Sequence, residues 1–119
     1  MTAMLEVWGI RNCDTVKKSL AWLDASGVAY RFHDFKKEAL DAARLDRWLA
    51  AVGWETLLNR KGTTWRGLPE NVRAGIDAKS ARTLMLENPS IIKRPVVEHG
   101  KAVHCGFSAD DFAARYTNN

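Results

Sequence analysis

Two cysteines stand in this chain of 119 residues, Cys13 and Cys105. Cys13 lies in a polar run, Arg11-Asn12-Cys13-Asp14-Thr15, directly ahead of a segment with helical spacing. The N–H groups at a helix start, together with the helix dipole, favour an anion, and a thiolate is one such anion. Arg11, Lys17 and Lys18 flank the cysteine and are expected to add to the effect, which makes Cys13 a candidate nucleophile. An isolated cysteine is more often a small buried hydrophobe, but a polar loop is a poor place to bury one. Cys105, between Val103 and Phe107 in a strand-like segment, fits that packing role instead. Position 16 is Val16, so Cys13 is not part of a Cys-x-x-Cys pair and a second thiol must come from elsewhere. Glutathione is the small thiol that suits, and a one-cysteine reaction would pass through a protein–glutathione mixed disulfide. Whether Cys105 can resolve it depends on a distance between sulfurs that sequence does not give.

Arg60 and Arg94 lie in non-helical stretches on either side of a helical middle. A guanidinium pair binds carboxylates and oxyanions through bidentate hydrogen bonds, although each arginine taken singly reads as a solvated charge. His33, His99 and His104 have no metal-ligand spacing with the cysteines, so no metal site is expected, and no Gly-rich phosphate loop occurs. Of the five tryptophans, Trp22 and Trp48 fall on helical patterns, while Trp65, in a basic loop, is expected to be exposed.

The elements that must hold these residues follow from periodicity. Apolar residues around 4–9 end at Gly9 and read as a first strand; Val16, Leu20 and Leu23 define a helix over 14–26 that stops at Ser26-Gly27. Val28, Tyr30 and Phe32 alternate with Ala29, Arg31 and His33, giving a second strand over 28–34. Asp41 precedes Leu45, Trp48, Leu49 and Val52, a helix over 41–52 closed by Gly53. From Trp54 to Leu68 no period survives, which predicts a loop. Pro69 opens a short helix carrying Val72 and Ile76, and Ser80 caps another that must stop near Asn88-Pro89. Strands over 95–98 and 101–105 form a hairpin, and Ser108 caps a last helix bearing Phe112 and Tyr116. The order β-α-β, helices, β-β-α predicts one α/β domain over 1–119, with a four-stranded mixed sheet and a helical insertion over about 41–88.

Composition supports a folded domain and narrows its partners. With 46% hydrophobic residues, 3 Pro and 8 Gly the chain is neither disordered nor fibrous. The net charge of +4 is spread along the chain, unlike the concentrated basic patch of a nucleic-acid binder, so no nucleic-acid partner is expected. No apolar run approaches the roughly 18 residues of a membrane span, and the start of the chain lacks the pattern of a secretory signal. A cytoplasmic, monomeric protein with free thiols is the expectation.

Three ordered segments, 7–18 around Asn12-Cys13, 58–66 with Asn59-Arg60-Lys61-Gly62-Thr63-Thr64-Trp65, and 88–96 with Lys93-Arg94-Pro95-Val96, resemble the ArsC/Spx family, nearest its YffB-like branch. The resemblance spans about residues 4–116. It implies a thioredoxin-like fold with a helical insertion, Cys13 as nucleophile, and Arg60 and Arg94 as binders of an oxyanion or thiol partner. Asn12 and Pro95 join the site through the same motifs, and the Arg94-Pro95 bond is expected to be cis beside the cysteine. Two departures bear on the substrate: family arsenate reductases coupled to glutaredoxin carry His where this chain has Gly9, and a third arginine is replaced by Phe107. Spx-type regulators of RNA polymerase carry a Cys-x-x-Cys switch that Val16 breaks. The resemblance therefore implies a glutathione-dependent thiol reductase with no tightly bound cofactor, glutaredoxin being a further candidate partner. A redox-modulated regulator and an arsenate reductase are the alternatives.

Overall fold

The computed structural model describes residues 4–117. The chain falls into two compact units, one running to Glu38 and resuming at Arg94, the other Ala39–Lys93. The helical excursion read at 41–88 lies within the second unit.

The first unit carries the sheet. β1 (Leu5–Gly9) leads through α1 (Asp14–Ala25) to β2 (Tyr30–Asp34), and the hairpin β3 (Val96–His99) and β4 (Ala102–Cys105) leads to α7 (Ala109–Tyr116). The strand order is β2-β1-β3-β4. β1 and β2 are parallel, as a helical crossover requires, with Val7 opposite Phe32; β3 runs antiparallel to β1, with Trp8 opposite Val96. This is the thioredoxin-like arrangement anticipated from the sequence. β1 is central and nearly all buried, which is why its residues read as a run and not an alternation. Leu5, Val7 and Val97 from the sheet close on Leu23 of α1 and on Phe112 and Tyr116 of α7. Phe107 meets Phe112 edge-to-face at 4.8 Å, so it adds apolar surface to this core. β2 begins at Tyr30, two residues later than the alternation suggested, because Val28 N–H bonds back to Leu23 O and belongs to the turn after α1.

Gly9 fixes how closely α1 lies on β1. A Cβ added there would come within 2.8 Å of Cγ2 of Val16, a residue with no exposed surface. Gly9→Ala is therefore expected to lower the stability to urea by about 1–3 kcal/mol, the usual size of an overpacked core contact. Combining it with Val16→Ala should cost less than the two losses summed, since the clash is removed. A wild-type urea midpoint for Gly9→Ala would contradict this packing.

The second unit contains α2 (Ala42–Val52), α3 (Trp54–Leu57), α4 (Thr63–Arg66), α5 (Glu70–Ala74), α6 (Ala78–Glu87) and a 3-10 turn, Pro89–Ile91. Asp41 caps α2 through Ala43 N–H, as expected. Three readings need correction. The stretch 54–68 is not a plain loop but holds α3 and α4, each four residues and too short to show a period. The helix after Pro69 ends at Gly75 before reaching Ile76. Ser80 is not the cap of α6: Asp77 is, accepting from Ser80 N–H, while the Ser80 hydroxyl receives the Asp77 N–H in a reciprocal capping box. Arg82 ties α6 to α2 by a two-toothed bond to Asp46 at 2.7 and 3.2 Å.

Candidate active site

Cys13 is the N-cap residue of α1, with extended backbone at φ −126° and ψ 126°. Its side chain thus occupies the place where a Ser or Asp oxygen would meet the first free N–H groups of a helix. The neutral thiol makes no side-chain cap hydrogen bond of regular geometry. The ionised sulfur is nonetheless favoured. Partial burial pushes the thiol up, but the Val16 N–H, a hydrogen bond from Arg94, the charge of that guanidinium and the Thr15 N–H together outweigh it. They hold Cys13 below the ordinary thiol value. The cation that acts on the sulfur is Arg94. Arg11, expected from sequence proximity to act on the sulfur, lies over the Phe32 ring, with Cζ 4.7 Å from its centroid.

Two neighbouring elements position this pair. The Arg94-Pro95 bond is cis. The Pro95 carbonyl accepts the Gly106 N–H at 2.8 Å, so the approach to β3 is tied to the end of β4. From the β2 side, buried Asp34 accepts the Lys36 N–H at 2.9 Å and the Arg11 N–H, more loosely, at 3.4 Å. Phe35 N–H bonds to Gly9 O at 2.9 Å, so the end of β2 also closes against the end of β1. Sequence reading overlooked Asp34; a lone acid at the end of a parallel strand beside the loop of interest was the available signal. Asn12 is exposed in the turn before Cys13. Cys105 is buried on β4 opposite Val96.

Arg60 belongs to the second unit. Its Cζ lies over two indole rings, 5.6 Å from the Trp54 centroid and 5.6 Å from that of Trp65. Trp65, expected to be exposed, is 9% exposed: α4 turns it inward and its basic neighbours outward. Among the described residues no group of three or more His, Cys, Asp or Glu side chains is arranged to hold a metal ion, and no helix is long and apolar enough to cross a membrane.

The sequence pattern of the ArsC family matches residues 8–115, and the chain belongs to that family. Within it the relationship to the YffB-like branch is direct. A solved structure described as YFFB shares 47% identity, covers 96% of this chain and all of its own, and superposes with a TM-score of 0.91. An arsenate reductase (ArsC) related protein from Brucella melitensis is 51% identical, with coverages of 97% and 96% and a TM-score of 0.81. The global transcriptional regulator Spx of Streptococcus agalactiae is 27% identical over 105 residues, 87% of this chain and 76% of that protein.

Proposed function

We propose that the protein is a glutathione-dependent thiol–disulfide reductase that uses Cys13 as its single nucleophile. The observation that carries this reading is the placement of Cys13 at the start of α1, where Val16 N–H, Arg94 and Thr15 N–H favour the thiolate. In the first step the Cys13 thiolate attacks the glutathione sulfur of a mixed disulfide R–S–S–G; the S–S bond breaks and RS⁻ leaves. In the second, a glutathione thiolate attacks the Cys13–glutathione disulfide, releasing the Cys13 thiolate and glutathione disulfide. The substrate gains two electrons and glutathione supplies them. Arg94 stabilises sulfur anions in both steps, and Pro95 and Asn12 are assigned to substrate contact. Arg60 is assigned to an anionic group of the thiol partner, on the strength of its place in the family motif.

Two features weigh against arsenate as the substrate. The histidine of family arsenate reductases has no room at position 9, where even a Cβ meets Val16, and Phe107 packs on Phe112 where an arginine would be wanted. The regulator reading draws on the Spx relative, but Val16 is wholly buried and offers no second thiol. In a glutathione-coupled assay with a mixed-disulfide substrate, turnover should be saturable in glutathione and absent in Cys13→Ser. Arg60→Lys should raise the KM for glutathione about tenfold, the worth of one charge-assisted hydrogen bond lost with the planar fork. Turnover of arsenate in place of the disulfide would overturn the substrate class. An unchanged KM in Arg60→Lys would remove Arg60 from the site.

A further inference from the structure

Arg60 is exposed, and its guanidinium lies over two indole rings. An exposed arginine without an acidic partner ordinarily samples many rotamers, and binding a ligand must then overcome that freedom. Here the surrounding backbone is anchored. Asn59 N–H bonds to Ile91 O at 2.9 Å, and Leu58 bridges to Ile92. The Asn59 carboxamide oxygen accepts the Lys61 N–H at 3.1 Å. Gly62 is the N-cap of α4, and the Asn59 carboxamide lies against it, with Nδ2 2.8 Å from where a Cβ would stand. Trp54 opens α3 and Trp65 lies in α4, so each ring is delivered by its own helix to the arginine between them. A guanidinium donates hydrogen bonds in its plane, and ring faces attract its positive carbon without using those donors. The donors remain available to a carboxylate or another oxyanion.

We propose that Trp54 and Trp65 are positioning residues that hold the Arg60 guanidinium as a receptor for a carboxylate or other oxyanion of the thiol co-substrate. The proposal rests on the reading of Arg60 given above and adds the two tryptophans to it. Neither is reached by counting motif charges, and both are separable from Cys13 chemistry.

The test follows the Arg60 Nε–H signal by NMR in the full chain, titrated with S-methylglutathione, which cannot exchange disulfides, and separately with inorganic sulfate. In the wild type the signal is displaced by indole ring currents and moves on titration with either probe. Trp54→Leu and Trp65→Leu should each return it toward an ordinary arginine position and weaken binding about threefold to fivefold, the scale of an exposed cation–π contact. Trp54→Phe and Trp65→Phe should recover most of the affinity, which separates ring contact from general loss of structure. Followed by the backbone amide signals around position 60, Arg60→Gln combined with Trp54→Leu should bind no more weakly than Arg60→Gln alone. If sulfate binds in this tryptophan-dependent way and S-methylglutathione does not, the clamp stands and the glutathione reading falls. If S-methylglutathione binds Trp54→Leu and Trp65→Leu as well as wild type, the clamp is overturned while the glutathione reading survives. A signal that neither probe moves in the wild type also overturns it.

Discussion

Incubated with oxidised glutathione near neutral pH, the protein should gain a single glutathione adduct, and the adduct should map to Cys13. Cys105→Ser should be modified at the wild-type rate, while Cys13→Ser should be slower by a factor on the order of 100 or more, since both ionisation and access are lost. The two cysteines differ in both respects. Cys13 caps α1 among N–H groups and beside a guanidinium, with its side chain partly open to solvent. Cys105 is 7% exposed and held in the β3–β4 ladder, where a glutathione disulfide would have to displace packed strand to reach its sulfur. Mass spectrometry of the intact protein and of its peptides reads the outcome directly. Modification of Cys13→Ser as fast as wild type would move the chemistry to Cys105 and end the present assignment.

The second large effect is expected at Arg94. Its hydrogen bond and charge both favour the Cys13 thiolate, acting with the Val16 and Thr15 N–H groups against the opposing influence of burial. Arg94→Gln removes the charge and leaves burial less opposed, so the thiol value should rise and alkylation by iodoacetamide near pH 7 should slow about tenfold, the worth of one charge-assisted hydrogen bond. Arg94→Lys keeps the charge but not the fork and should fall between Arg94→Gln and wild type. At a pH well above the ordinary thiol range the deficit of Arg94→Gln should vanish, because the sulfur is then ionised in each protein and the more basic thiolate is the better nucleophile. The same linkage has a stability counterpart. A thiol held below its unfolded value contributes stability that is fully present above the unfolded value and is lost as pH falls through the folded one. Replacing Cys13 by Ser should flatten that part of the pH profile. Equal alkylation rates for Arg94→Gln and wild type near pH 7 would separate Arg94 from the nucleophile.

Much of this arrangement can be read from residue types and spacing, and the exceptions have physical reasons. The strands are legible because β1 is an apolar run and β2 an alternation. The caps at Asp41 and Ser108 are legible because a small polar residue stands directly before a periodic segment. At α6 two capping residues stand three apart, and only their reciprocal hydrogen bonds show that Asp77 leads and Ser80 follows. α3 and α4 escape detection because one turn of helix has no period, and their loss hides the inward turn of Trp65. Proximity along the chain points to Arg11, Lys17 and Lys18 as the cations beside Cys13. The fold turns Arg11 onto Phe32 and brings in Arg94 from the far side of the sequence, an event of topology that spacing does not encode. Trp54, six positions before Arg60, and Trp65, five after it, carry the only local hint of the aromatic setting of that arginine.

Whether the fold makes Cys13 a thiolate nucleophile is read by an ultraviolet thiolate titration of Cys105→Ser, in which Cys13 is the sole thiol. The midpoint should lie below the ordinary thiol range and move upward when Arg94→Gln is added. A midpoint within or above the ordinary thiol range, or one that Arg94→Gln leaves unmoved, would show that the fold does not activate Cys13 in this way.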